Sequence, residues 1–399
     1  MSRRILFNLV RPVITRNVIF QRTARHYASK RKLETSMGGI FEPFLDNKID
    51  KAKQEVISPK ELLAKKNVED LLPDQEQLQL LIQHKQTSLS VEKQKELTQV
   101  VLDHIVNDTP LDYDNLLNLV DNKTTELTSF GNVILKTSKY GAPIALELYK
   151  VAMEKGDDRG AFSYANMVYR GYRGTVKDEE KGIQIMSQLA QKGHPYAQMN
   201  LAAIIMRTDP NRVDAALQLY ELAGGAGLDS AYTELGRMYR LGYGVHQDHL
   251  KAVDYFKRGA QSGNPQCHFM LGVYYSSNLI GEPDQKRAFK YFQKAAVKGL
   301  PEAQYNVGLR FLKGIGIEPN GFNAAEFFRM AATQGFQLAQ INLAGMYLEG
   351  RGVKKNLGEA RQWLEKAVVS GGTIGKDAQK RLDELDEMEG KKKDRCVIM

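Results

Sequence analysis

The chain repeats itself. From about residue 141 a reference alanine returns at Ala161, Ala197, Ala231, Cys267, Ala303, Ala339 and Ala378, at intervals of 36, 34, 36, 36, 36 and 39 residues. A period of this length makes each copy one supersecondary unit. Such a unit cannot bury its apolar face alone, so it must stack on its neighbours.

Each copy has an internal grammar. Eight residues after the reference stands a large apolar group: Tyr169, Ile205, Tyr239, Tyr275, Phe311 or Tyr347. Five after it the residue is small at Ala202, Gly236, Gly272, Gly308 and Ala344, so that a large residue can fit beside a close helix contact. A glycine turn follows at Gly242 and Gly244, Gly314 and Gly316, and Gly350 and Gly352, with a looser copy at Gly171 and Gly174. The second helix then carries an alanine and a bulky pair: Ala252 with Tyr255 and Phe256, Ala288 with Tyr291 and Phe292, Ala324 with Phe327 and Phe328, Ala360 with Trp363 and Leu364. It closes at Gly193, Gly227, Gly263, Gly299 or Gly335, where glycine supplies a left-handed cap.

These residues resemble the Sel1-like repeat, the longer relative of the tetratricopeptide repeat. The resemblance covers roughly 141–385, as six fairly complete units after a half unit at 141–156. Repeat 161–196 lacks the leucine-glycine of helix one, 197–230 lacks the aromatic and the glycine turn, and 267–302 has Ser277 and Asn278 where its turn should begin. The resemblance implies an all-α fold, a right-handed α-solenoid of helix-turn-helix repeats. It also implies an adaptor that gathers protein partners in a groove lined by helix-one positions.

The candidates along that groove fall in two rows. Asn200, Asn306 and Asn342 lie three after the reference, with Glu234 and Met270 at the same place. Gln198, Tyr232, His268, Gln304 and Gln340 lie one after it. Amides and aromatics there suit the backbone of an extended peptide. Arg170, Arg237, Arg240 and Arg310 suit acidic groups on a partner.

Composition narrows the remaining classes. The net charge is +9, but residues 1–27 hold six arginines and no acid, which leaves +3 on the rest. A near-neutral body is a poor match for phosphate backbones, so no nucleic-acid partner is expected. Two cysteines, Cys267 and Cys396, exclude a disulfide framework and a thiolate zinc site. His246 and His249 read as turn residues, and Cys267 as a core filler in an alanine position. Residues 371–377 carry glycines and a lysine but lack phosphate-loop spacing, so they read as a helix connection. No catalytic residue, metal site, cofactor or small-molecule substrate is expected.

The two ends point to different addresses. Residues 1–33 are basic and reach their first acid at Glu34. On a helix, Leu6, Leu9, Val10 and Val13 share a face opposite Arg3, Arg4 and Arg11. A cationic amphipathic helix is drawn towards a negative matrix at about 2.3 kcal/mol per charge per 100 mV. Arg25 followed by Tyr27, Ala28 and Ser29 resembles a matrix-peptidase site cut between Tyr27 and Ala28. Against this, Cys396, Val397, Ile398 and Met399 match a prenylation box behind Lys391, Lys392, Lys393 and Arg395. The favoured address is the mitochondrial matrix. The alternative is a farnesylated, membrane-associated cytoplasmic adaptor resembling fungal Sel1-repeat chitin-synthase activators.

The expected organisation is a transit peptide at 1–27, a linker at 28–57, a helical region at 58–140, the solenoid at 141–385 and a basic tail at 386–399. Helical patterns run near 59–72, 74–86, 90–107 and 112–121. Ser58, Pro59 and Glu61 form a capping signal at the first of them. No run reaches the roughly 18 apolar residues of a membrane span. The expected function is that of a matrix adaptor holding a protein client, extending to the biogenesis of an inner-membrane respiratory complex with peripheral membrane contact.

Overall fold

The computed structural model describes residues 57–397 except Arg173, with side chains up to Glu387 and not at Pro210. The expected transit peptide, its cleavage residues Tyr27 and Ala28, and the side chain of Cys396 lie outside the described residues. Every regular element among those described is helical. The chain divides into two compact units, 1–226 and 227–399.

The first unit opens as the capping signal specifies. Ser58 Oγ accepts from the Glu61 N–H at 3.2 Å, and Glu61 accepts from the Ser58 N–H at 3.1 Å. The pattern expected over 59–72 nevertheless splits into α1 (Pro59–Leu63) and α2 (Val68–Leu71). Asn67 explains the break, because its side chain starts a second reciprocal cap with Asp70. Helices α3 (Gln75–Gln83), α4 (Val91–Asn107) and α5 (Tyr113–Leu119) follow, and Asp108 ends α4 in the left-handed region at φ 53°. Leu63, Leu71, Leu97, Val101 and Leu116 bury one shared core with Leu127, Phe130 and Ile134 of the next helix.

That next helix, α6 (Thr124–Thr137), completes the half unit seen at 141–156 by pairing with α7 (Ala142–Glu154). Gly131 is the seat of the pair: a Cβ there would stand 2.7 Å from the Tyr149 ring. Tyr149 is buried and donates to Asn132 Oδ1 at 2.7 Å. Two more pairs complete the unit, α8 (Asp158–Arg170) with α9 (Glu179–Gln191) and α10 (Pro195–Thr208) with α11 (Val213–Gly225).

The second unit holds four pairs: α12 (Asp229–Leu241) with α13 (His249–Gln261), α14 (Pro265–Ser276) with α15 (Gln285–Val297), α16 (Pro301–Lys313) with α17 (Gly321–Thr333), and α18 (Gln337–Glu349) with α19 (Leu357–Val369). Within three of them the small position does what the sequence asks of it. A Cβ on Gly236, Gly272 or Gly308 would lie 2.5–2.8 Å from Phe256, Phe292 or Phe328. Each of those rings is essentially buried, a transfer gain of about 2–3 kcal/mol per ring. Between pairs the glycine turn adds a close contact to the packing of one helix on the next. Gly316 and Gly352 sit at φ 74°, and a side chain on either would collide with the start of the preceding pair's second helix, at Gln285 and Gly321.

The unit ends in α20 (Gly372–Val397). The segment 371–377 is thus mostly the first turn of this helix rather than a connection. Its apolar face, with Ala378 and Leu385 buried, outweighs its glycines, and Arg361 binds Asp386 at 2.5 Å.

Candidate binding face

The row one after the reference alanine belongs to the fold. Gln198, Tyr232, His268, Gln304 and Gln340 are all buried, at 2–8% exposure. Three glutamines donate Nε2 to the carbonyl eight residues earlier: Gln198 to Ala190 at 3.1 Å, Gln304 to Ala296 at 3.2 Å and Gln340 to Ala332 at 3.1 Å. Those carbonyls lie in the last turn of the preceding helix, where each also accepts from the N–H of the closing glycine, Gly193, Gly299 or Gly335. The expectation that Gln304 and Gln340 line a groove is corrected accordingly: their donors satisfy the neighbouring helix.

The two non-glutamine members behave differently. Tyr232 lies under the Arg258 guanidinium, 4.3 Å from ring centre, and its hydroxyl accepts from Arg258 at 3.1 Å. His268 has no such bond; its Nδ1 is buried without a hydrogen-bond partner. Burial, with Lys294 and Lys298 nearby, holds its pKa below the ordinary value.

The row three after the reference is mixed. Asn200 and Glu234 are buried, whereas Met270, Asn306 and Asn342 are half-buried. Glu234 accepts from Arg237 Nε at 2.9 Å and Nη2 at 2.7 Å, which satisfies its buried carboxylate. Asn306 donates to its own helix at Glu302 O, and Asn342 reaches the Tyr305 hydroxyl at 3.4 Å.

Three residues further on lies a row that sequence reasoning touched only at Arg237: Arg237, Val273, Leu309 and Gly345, all half-buried. Positions three apart share a helix face. The second unit therefore presents an ion pair at Glu234 and Arg237, apolar groups at Met270 and Val273, and an amide beside Leu309 at Asn306. The face ends at Asn342 and Gly345. A Cβ on Gly345 would meet nothing within 4 Å, so no contact of this chain requires glycine there. Its position directly after the small residue Ala344 was the available sequence signal.

The other expected partner contacts are used internally or lie apart. Arg310 is buried, donates to Gln285 Oε1 at 2.9 Å and stacks 4.8 Å over Phe292. Arg240 is half-buried with its Nε orphaned, and Arg170 is exposed. His249 is the first residue of α13 rather than a turn residue, with Nδ1 3.0 Å from the Tyr274 hydroxyl. No group of three metal-ligating side chains occurs among the described residues. Burial pushes the Cys267 thiol up to about 12. The face can offer hydrogen bonds, one ion pair and apolar area, and it lacks an assembled nucleophile and base.

A stack of helix pairs with a mixed, half-exposed face defines a helical-repeat scaffold. The Sel1 repeat profile matches residues 159–194, 229–264, 265–300, 301–336 and 337–368, so these segments are similar to the Sel1 repeat. The matched segments pass over the pair without a glycine turn. The fold is similar to that of a Sel1 repeat protein from Oxalobacter formigenes, with TM-score 0.55 and 22% identity over 82% of this chain and 93% of that one. It is also similar to a protective antigen of uropathogenic Escherichia coli strains with the same repeat fold, with TM-score 0.54 and 23% identity over 79% and 73%. In sequence it is 26% identical over 170 residues to an uncharacterized protein of Neisseria meningitidis serogroup B, and 31% identical over 105 residues to human protein sel-1 homolog 2. The matches cover 42% and 26% of this chain, and only 32% and 15% of those relatives.

Proposed function

We propose that this protein is a non-enzymatic adaptor of the mitochondrial matrix that holds a protein client on the first-helix face of its second unit. The observation that carries the binding reading is Gly345. A mid-helix glycine costs roughly 1 kcal/mol relative to alanine, and here no internal contact calls for it. It leaves room for a client backbone to approach between Asn342 and Leu309. The acid-free, arginine-rich N-terminus supports the matrix address. The extension to assembly of an inner-membrane respiratory complex rests on the Sel1 resemblance, with membrane contact peripheral.

Import of radiolabelled protein into energised mitochondria tests the address. A shortened, protease-protected product that requires membrane potential is expected. Full-length, protease-sensitive protein would instead direct attention to Cys396 and a prenylated cytoplasmic adaptor. A photo-crosslinking side chain at Asn342, compared with one at Val369, then tests the face. Adducts from position 342 alone are expected, and equal labelling from both would sink the assignment.

A further inference from the structure

One helix of the second unit carries an unbroken basic stripe. Along α15 stand Lys286, Arg287, Lys290 and Lys294, with Lys298 as its C-cap, and no acid interrupts them. At about 100° per residue all five fall within an arc of about 120°. That arc is exposed at every one of these positions. None of the five forms a salt bridge with a described residue. The equivalent helix one repeat earlier, α13, adds exposed Lys257 and exposed Lys251, the latter 4.0 Å from the N-cap carboxylate of Asp248, with Asp254 the acid within the helix. The equivalents further on are balanced: α17 pairs Arg329 with Glu326, and α19 sets Arg361 and Lys366 against Glu359 and Glu365.

We infer that the outer arc of α15, extended by α13, docks on an anionic lipid bilayer. Three observations favour a bilayer over a protein or a nucleic acid. Exposed aliphatic side chains sit among the cations, Val297 at 74% and Leu250 at 70% exposure, where they can enter the headgroup region while lysine stems carry their charges past them. The cations are mostly lysines, which act as point charges suited to a diffuse anionic surface rather than as forks for defined carboxylates. The nearby rings are already engaged, Tyr255 on Tyr239 and Tyr291 on Tyr275 at 5.4–5.5 Å, so neither is free to stack a base. A cleft of 580 Å³ in this unit is lined by Phe322, Arg329, Tyr347 and Lys355 and takes no residue from α15.

The fold supplies its own control. Val297 and Val369 occupy the same register on α15 and α19, and both are highly exposed, but only Val297 lies among uncompensated cations. The full chain with Cys396→Ser keeps only Cys267, which is buried. In that background a polarity-sensitive dye is placed on Val297→Cys or on Val369→Cys. With vesicles of phosphatidylglycerol and phosphatidylcholine, a blue shift is expected at 297 and none at 369. The shift should vanish with phosphatidylcholine alone and at high salt. It should also vanish in K286E/K290E/K294E, and in the milder glutamine triple if circular dichroism shows the glutamate triple misfolded. The local readout separates this contact from attachment through the basic N-terminus. A silent 297, equal shifts at both sites, persistence in the folded triple variant, or a response to single-stranded RNA but not to vesicles would each overturn the inference. Because purified protein and vesicles suffice, this result and the import result can fail separately.

Discussion

The α6 and α7 pair of the first unit and the α14 and α15 pair of the second are built around the same contact but spelled differently. In each, a glycine on the first helix receives an aromatic ring from the second, Gly131 with Tyr149 and Gly272 with Phe292. The second-unit pair carries its bulky residue and phenylalanines in repeat register. The first-unit pair has a four-residue link where the second-unit pair has eight residues, with Gly131 and Tyr149 18 residues apart instead of 20. The contact is therefore the conserved physical requirement of the stack, and the motif is one of several ways to meet it.

The most severe way to break this comparison is to fill both seats. Gly131→Val and Gly272→Val each force branched atoms into an occupied ring, and over-packing of this kind costs about 3 kcal/mol. Trp363, the single tryptophan, reports the second unit by fluorescence, and circular dichroism reports both. Gly272→Val should lower the urea midpoint of the fluorescence transition. Gly131→Val should lower a circular dichroism transition by a similar amount and leave the fluorescence transition in place. A neutral Gly131→Val would show that α6 and α7 are an appendage to the repeats.

A second substitution sharpens the contrast from the opposite side. Gly345 is also a mid-helix glycine, but its Cβ site is open where that of Gly131 is filled. Gly345→Ala should therefore raise stability by about 1 kcal/mol through helix propensity. If the proposed client uses the opening, Gly345→Leu should leave the midpoint nearly unchanged and abolish crosslinking from Asn342. Loss of stability in Gly345→Ala would mean that the space is needed by the fold itself.

The repeats were legible in the sequence because their signals are local and redundant: glycine turns, reference alanines and aromatic pairs recur together in each copy. The partner of the half unit was not, because α6 announces itself by one glycine whose meaning depends on Tyr149 across the pair. The faces were harder to read. A glutamine beside each alanine looks like an available amide, and only packing reveals that the carbonyl at Ala190, Ala296 or Ala332 takes its donor. The charge was hidden by averaging. A body of +3 overall reads as neutral, yet α15 carries an exposed acid-free stripe balanced by acidic residues elsewhere.

The smallest effect concerns the position where the units differ by one residue type. Gln198 of the first unit bonds Ala190 O, whereas His268 at the same place in the second unit leaves a buried nitrogen orphaned. His268→Gln should restore the bond to the equivalent carbonyl, at Ala260, and add about 0.5–1 kcal/mol. The pH dependence carries the sharper test. The folded state holds His268 below its ordinary pKa, so the unfolded chain binds the proton more readily. The second unit is therefore at full stability with respect to this group above roughly pH 6.5, and loses stability as pH falls through the folded value. In His268→Gln the fluorescence midpoint between pH 7 and pH 5 should fall less than in the parent. Some fall remains for the whole protein, because burial also holds His194 of the first unit low. An unchanged acid limb in the fluorescence transition would mean that His268 finds a proton acceptor in solution that its packing does not provide, and the parallel with Gln198 would then end at sequence position.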